Sequence, residues 1–264
     1  MQILPPLRLY GHRGAPAELP ENTLPSFLRA IERGVDALEL DVHLSRDGHI
    51  IVAHDPDGRR MAGSPRDIRA SRLDELLRWD LGYGYLDVTG ARPHIGKGIR
   101  LLLLDELLDE VTQLPLNIDI KARDRRLVEL IVKLLRERQR TPQVLLTSFD
   151  SDVLTWVRDA GYTGQIGCGR REIARLLTVP ERLLQRAPRV SLGDAVQVPL
   201  RYGPFRFDNH RFIDKCHRLG LRVDFWTIND EDVADRLLAM GADGLMSDDP
   251  RRLVSVVAAW RTRR

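Results

Sequence analysis

Six side chains suited to charge or acid–base chemistry fall at the ends of three apolar runs. His12 and Arg13 follow the run Leu7–Tyr10, in Gly11-His-Arg-Gly14. Glu39 and Asp41 lie within Ala37–Leu44, and Asp119 with Lys121 closes Leu116–Ile120. A further histidine, His54, stands before Asp55 after the run Ile50–Ala53. Glu39, Asp41 and Asp119 brought together would repel one another unless a cation sat between them. Their all-oxygen donor set suits Mg²⁺, Ca²⁺ or Mn²⁺ and not zinc. Arg13 and Lys121 beside them imply an anionic substrate, with phosphate the natural candidate. Histidines titrate near neutrality, so His12 and His54 suit proton transfer at the two oxygens of a phosphodiester.

The elements that must carry these residues alternate between strand and helix patterns. Helical spacing of Phe27, Leu28 and Ile31 predicts a helix over Thr23–Arg33, with Asn22 a candidate N-cap and Gly34 a stop. Arg46-Asp-Gly48 is a turn signal between Ala37–Leu44 and Ile50–Ala53, which makes a hairpin-like excursion ending at His54-Asp-Pro56. Residues 57–100 lose the regular pattern. They read as an insertion or lid in a βα connection, too poor in apolar residues for a core of its own. Beyond it, strands are expected at Leu116–Ile120, Val144–Thr147, Gln165–Cys168, Ala195–Pro199, Arg222–Trp226 and Gly244–Met246, with helices between them. Eight strands alternating with helices fit an α/β fold of the closed (β/α)8 TIM-barrel kind, one domain spanning 1–264. No Gly-x-Gly-x-x-Gly turn follows the first strand, which counts against a dinucleotide fold.

Strands of a parallel barrel should be apolar on both faces. Two of these are not. Glu39, Asp41 and His43 alternate with Leu38, Leu40, Val42 and Leu44, and Asn117, Asp119 and Lys121 alternate with Leu116, Ile118 and Ile120. Half-exposed antiparallel strands would show the same alternation. Within a βα series, however, the polar face points into the barrel, where unpaired charges cost several kcal/mol each. Departures of this kind are expected at functional sites. The strands' C-terminal ends open on the face where barrel enzymes keep their active sites.

Composition narrows the class. The chain has 264 residues, 43% hydrophobic and 30% charged, with net charge +3 and a pI of about 9.1. The basic excess is 37 arginines and four lysines scattered among 38 acids, which reads as an ion-paired surface rather than a nucleic-acid face. Cys168 and Cys216 have no metal spacing and form no disulfide framework, in keeping with reduced thiols and a cytoplasmic setting. No run approaches the ~20 apolar residues of a membrane span, and the N-terminus lacks a signal pattern. The tail Arg261–Arg264 is expected to fray. Oligomeric state is not legible.

The blocks Gly11-His-Arg-Gly14, Pro20-Glu-Asn-Thr23, Glu39-x-Asp41, Asp47-Gly48 and His54-Asp55 together resemble the glycerophosphodiester phosphodiesterases of the bacterial, cytoplasmic type. The resemblance continues through Asn117-Ile-Asp-Ile-Lys121, Ser148-Phe149, Trp226-Thr-Ile-Asn229 and Gly241-Ala-Asp-Gly244 with Asp248 and Pro250. It implies a phospholipase C-like barrel with an insertion after the second strand. It also implies one divalent ion, Ca²⁺ or Mg²⁺, on Glu39, Asp41 and Asp119. His12 and His54 would be the acid–base pair, with Arg13 and Lys121 on the phosphate of a small-molecule diester. The implied reaction is hydrolysis of a glycerophosphodiester to sn-glycerol 3-phosphate and an alcohol. The family usually has glutamate where this chain has Asp119, and the missing methylene shortens the reach by roughly 1.3–1.5 Å, about one C–C bond.

Other residues carry weaker readings. Trp226, at a strand end, is a candidate pocket wall. Glu21 and Asn22 suit orientation of His12 or Arg13. His43 reads as structural, His49, His94, His210 and His217 as surface or lid residues, and Trp79, Tyr83 and Tyr85 as packing in the insertion. Two alternatives stand beside the implied activity. One is a lysophospholipase D or sphingomyelinase D-like phosphodiesterase on the same barrel, which a wide apolar pocket would favour. The other is a non-catalytic phosphodiester-binding protein disabled at Asp119.

Overall fold

The computed structural model describes residues 6–186 and 192–263. The run through Pro5 and the last tail residue, Arg264, lie outside the described residues. Twelve strands follow in chain order among the described residues: β1 Arg8–His12, β2 Ala37–Leu44, β3 Ile50–Val52, β4 Leu102–Leu103, β5 Leu116–Ile120, β6 Val144–Thr147, β7 Gln165–Ile166, β8 Ala195–Val198, β9 Arg201–Tyr202, β10 Phe205–Arg206, β11 Arg222–Phe225 and β12 Gly244–Ser247. Eight of them pair in the order β7-β6-β5-β2-β1-β12-β11-β8. A parallel bridge from Gly167 to Ala195 joins the two ends, so the sheet is a nearly closed (β/α)8 barrel, as expected.

Amphipathic helices shield the barrel's outer face. Arg125–Glu137 buries Leu127, Val128, Ile131, Val132 and Leu135 on one stripe, and Asp124 caps it by accepting from Arg126 N at 2.9 Å. The first helix, Leu24–Glu32, is capped by Thr23 and not by Asn22. Asn22 has a left-handed φ of 56° and turns its amide into the barrel mouth instead. Gly34, at φ +84°, does end that helix.

Past the barrel rim, β2 continues as a hairpin: β3 pairs antiparallel with β2 and then with β4. The segment that follows holds a core after all. Ile51, Ile68, Leu76, Trp79, Leu81, Ile99 and Leu101 form a second buried apolar cluster. The sequence hides it because its members are spread over some fifty positions with no helical or strand period, and one of them belongs to β3. The tail also differs from expectation. The final helix runs from Pro250 to Arg261, and Arg261 pairs with Asp36 instead of fraying.

Inside the barrel the lower filling is polar and linked by hydrogen bonds, although Arg222 Nε is buried without one. Arg222 Nη2 donates to Asp224 Oδ1 at 2.9 Å and to Tyr10 Oη at 3.1 Å, and Tyr10 Oη donates to Asp224 Oδ2 at 3.2 Å. Gln197 Nε2 donates to the same carboxylate at 3.3 Å, Asn117 Nδ2 to Gln197 Oε1 at 3.0 Å, and Thr147 Oγ1 to Asn117 Oδ1 at 3.3 Å. Asp224 is wholly buried, so removing it strands the Arg222 charge. Asp224→Ala should therefore lower the unfolding free energy by about 3–5 kcal/mol in urea titration. A loss of less than about 1 kcal/mol would show that water reaches Arg222.

Candidate active site

Strand register brings the chemistry together. His12 on β1 lies opposite Glu39 on β2, and Asp41 lies opposite Asp119 on β5. Around these strand ends is a cavity of about 220 Å³. His12, Arg13, Glu39, Asp41, His54, Asp119, Lys121 and Trp226, every site residue expected from the sequence, line it. Phe149 stands edge-on to Trp226 at 5.8 Å between ring centroids.

The Gly11–Gly14 turn explains its own glycines. A Cβ on Gly11 would lie 2.7 Å from Ala30 Cβ, and one on Gly14, at φ +95°, would collide with Ser26. Arg13 between them has φ 57°, a costly region for a side chain of its size. The Glu39 and Asn22 backbones hold it there: Arg13 N donates to Glu39 O at 2.9 Å, and Asn22 N to Arg13 O at 2.9 Å.

Each histidine is oriented by an aspartate. His12 Nδ1 lies 2.7 Å from Asp248 Oδ1, and His54 Nδ1 lies 2.7 Å from Asp55 Oδ1. Burial works to raise the Asp248 carboxyl, but its hydrogen bond to His12 and that from Asn229 keep it below the ordinary carboxylate range. Burial likewise acts on Asp55 and is outweighed by Arg60 and His54. Both acids are therefore ionised near neutrality and can only accept, so each Nδ1 carries the proton and each Nε2 is the ring's remaining reactive atom. Burial disfavours the charged form of His12, yet Glu39, 3.8 Å from its Nε2, and Asp248 outweigh this and raise its pKa. His43, buried with its pKa pushed down, sets Nε2 3.0 Å from His54 O and so steadies the loop that carries His54. His217, expected at the surface, is tied to buried Asp243 at 2.8 Å.

The two expected phosphate cations are both held by carboxylates. Lys121 Nζ lies 2.6 Å from Asp119 and 2.9 Å from Asp41. Burial lowers the ammonium's pKa, but these two acids raise it above the usual lysine value. Arg13 Nε lies 3.2 Å from Asp41, and Arg13 Nη1 lies 3.0 Å from Glu21. Glu21 in turn accepts from Arg60 at 2.7 and 2.8 Å, and Arg60 Nε donates to Asp55 at 2.6 Å. This ionic chain links the short helix Arg59–Ala62 of the insertion to both His54 and Arg13. Asp55, Asp248 and Arg60 are the partners of the expected site residues that residue types alone did not single out. The first two stand in the His54-Asp55 and Asp248 blocks already noted, whereas nothing in the sequence marks Arg60.

With Lys121 between Asp41 and Asp119, no three acidic, histidine or cysteine side chains among the described residues form a ready-made metal cluster. The donor set nonetheless fits a hard cation. Glu39 is buried beside Asp41, and those two facts push its carboxyl up to about 8. Within ion-pair distance of Glu39, among the described residues, stands only His12. A buried carboxylate whose only close countercharge is a histidine, next to two more carboxylates, is the electrostatic setting that a divalent ion relieves.

Comparison with known proteins agrees with the geometry. The sequence model of the glycerophosphoryl diester phosphodiesterase family matches residues 12–252. A glycerophosphodiester phosphodiesterase of Caldanaerobacter subterraneus subsp. tengcongensis is 26% identical, over 93% of this chain and 96% of that one. Lysophospholipase D GDPD1 of Homo sapiens is 25% identical over 92% and 83%. A phosphodiesterase of Oleispira antarctica, solved in complex with the product sn-glycerol-3-phosphate, superposes with a TM-score of 0.78 at 22% identity, covering 97% of each chain.

Asp248→Asn removes a charge that raises His12 and leaves the shape intact. The His12 pKa should fall in that variant, followed by NMR titration of the ring protons, with the fold unchanged. An unmoved pKa would mean that Glu39 alone governs His12.

Proposed function

The chain belongs to the glycerophosphoryl diester phosphodiesterase family, and from that premise we propose that it hydrolyses glycerophosphodiesters to sn-glycerol 3-phosphate and an alcohol. The observation that carries this reading is the pair His12 and His54. Each is fixed through Nδ1 by its own aspartate, and both face one cavity that also holds three carboxylates and Lys121. One imidazole removes the proton from the attacking hydroxyl while the other, protonated, donates to the departing alkoxide. Lys121 and Arg13 supply positive charge beside the phosphoryl oxygens, and Trp226 with Phe149 walls the substrate in. Glu39, Asp41 and Asp119 would hold one divalent cation, Ca²⁺ or Mg²⁺ with Mn²⁺ also suited, which when bound polarises phosphoryl oxygens.

The whole chain acts as one catalytic domain in this reading, with residues 57–100 covering the His54 side. Both cysteines are free thiols, which supports a cytoplasmic setting. Among the described residues no helix is long and apolar enough to cross a membrane.

Incubation with glycerophosphocholine and glycerophosphoethanolamine in Mg²⁺ or Ca²⁺ should release glycerol 3-phosphate, and EDTA should stop it. No release with any metal would leave a phosphodiester-binding protein instead. His12→Ala and His54→Ala should each reduce kcat by at least about 10²-fold with the circular dichroism spectrum unchanged. Substantial turnover in either variant removes that residue from the acid–base pair. Asp119→Glu restores the missing methylene and should tighten Mg²⁺ or Ca²⁺ binding, or leave it unchanged, by titration calorimetry. A marked loss of affinity would take Asp119 out of the ligand set.

A further inference from the structure

Beside the catalytic cavity lies an open, polar chamber of about 440 Å³. Asp119, Lys121, Ser148, Phe149 and Arg170 are walls of both, so a molecule held at Lys121 can extend from one into the other. Helices Ser151–Asp159 and Arg170–Thr178 begin at the chamber and bring Asp152, Arg170 and Arg171 to it. Three arginines there, Arg123, Arg170 and Arg171, stand against two aspartates, Asp150 and Asp152. Arg123 lies 2.8 Å from Asp150 and 2.5 Å from Asp152, and Arg171 lies 2.8 Å from Asp152. Arg170 is the charge left over. Among the described residues no acid engages it, and its guanidinium rests 5.6 Å from the Phe149 ring centroid. Arg13 and Lys121 in the catalytic cavity are already held by carboxylates, so Arg170 is the cation open to an anion.

A glycerophosphodiester has two ester arms. The glycerol arm carries only hydroxyl groups and offers Arg170 no charge. A choline or ethanolamine arm would bring a cation to an arginine while both nearby aspartates are engaged. We infer that the chamber receives a head alcohol carrying a second phosphoryl group, bound by Arg170, so that the enzyme favours diesters of phosphorylated alcohols over their unphosphorylated parents. The planar guanidinium matches two phosphate oxygens at once, and its place on the Phe149 ring leaves its N–H edge free for them. This inference rests on the hydrolytic reading above and names the arm that sets its specificity. Hydrolysis breaks the phosphoester bond to the head alcohol. Water gives its hydroxyl to phosphorus and a proton to the leaving oxygen, yielding sn-glycerol 3-phosphate and the phosphorylated alcohol. A terminal phosphomonoester and a diester that continues a chain present similar oxygens to Arg170, and the test separates them.

The test uses two matched pairs, with Mg²⁺ at low ionic strength. Glycerophosphoinositol is compared with its 4-phosphate, a monoester, and glycerophosphoglycerol with bis(glycerophospho)glycerol, a continuing diester. Diester loss is followed by phosphorus NMR, with kcat/KM counted per scissile bond. In at least one pair the phosphorylated member should exceed its parent by about tenfold, and added salt should shrink the gap. Arg170→Gln should bring that ratio close to one, and Arg170→Lys should keep part of it, because the charge survives without the fork. A ratio near one in both pairs for the wild-type chain, or a ratio that survives Arg170→Gln, overturns the chamber's role while the hydrolytic reading stands. Should no diester be cleaved, calorimetry with the two phosphorylated members separates the claims. Binding that weakens in Arg170→Gln upholds the chamber and removes the hydrolytic reading; binding that is absent, or unmoved in the variant, overturns both.

Discussion

Asp41 carries its charge at a position where only 1% of the residue meets solvent. Desolvating a lone carboxylate to that degree costs several kcal/mol, so everything around it must supply countercharge or hydrogen bonds. Lys121 does so from β5, Arg13 from the turn after β1, and Asn22 from the turn before the first helix. Burial raises the Asp41 carboxyl, and the two cations outweigh it and hold it ionised. Three separate chain segments are thereby pinned to one oxygen pair. The left-handed backbone at Arg13 and at Asn22 is the strain accepted to reach it.

The same charge balance extends outward through Arg13 and Glu21 to Arg60, and from Arg60 to Asp55 and His54. The insertion is thus attached to the barrel by more than its own apolar cluster. An ionic thread fixes the histidine on the excursion relative to the turn that bears Arg13, with His12 beside it. Each end of the thread lies at the cavity, while its middle, at Arg60, is exposed. Solvent screening makes the exposed links the weaker ones. The buried Asp41 end is where the geometry is set.

Below the site, the barrel interior departs from the apolar layers usual for this fold. The thread from Arg222 and Tyr10 through Asp224 and Gln197 to Asn117 and Thr147 fills the space with partnered polar groups. Gln197 and Asn117 belong both to this thread and to the cavity wall, so the floor of the site is held by hydrogen bonds of fixed direction. To one side the wall turns apolar, and the change happens across Arg170 and Phe149. Polar floor and hydrocarbon flank place a boundary within the pocket.

Much of this was legible in the residues. The alternation of Glu39 and Asp41 with leucines, and of Asn117 and Asp119 with isoleucine, marked two strands whose inward face is charged, because strand period alone decides which side chains share a face. Helix patterns and strand alternation carried the barrel, and the motif blocks with the charged strand ends pointed to eight residues that line one cavity. What the chain order could not decide depended on contacts between distant segments. Lys121 bridges Asp41 and Asp119 only because β2 and β5 are neighbours in register. Asp248 reaches His12 only because the barrel sets β12 against β1. Asn22 leaves its cap position because Asp41 offers a buried charge from nineteen residues away. Arg60, the small core under the insertion and the apolar side of the cavity wall have no local period to betray them. Sequence determined which groups could do the chemistry, through residue type and strand alternation. Tertiary structure decided which charges neutralise which and where the hydrocarbon wall lies, because those follow from distance and desolvation, which only the closed barrel defines.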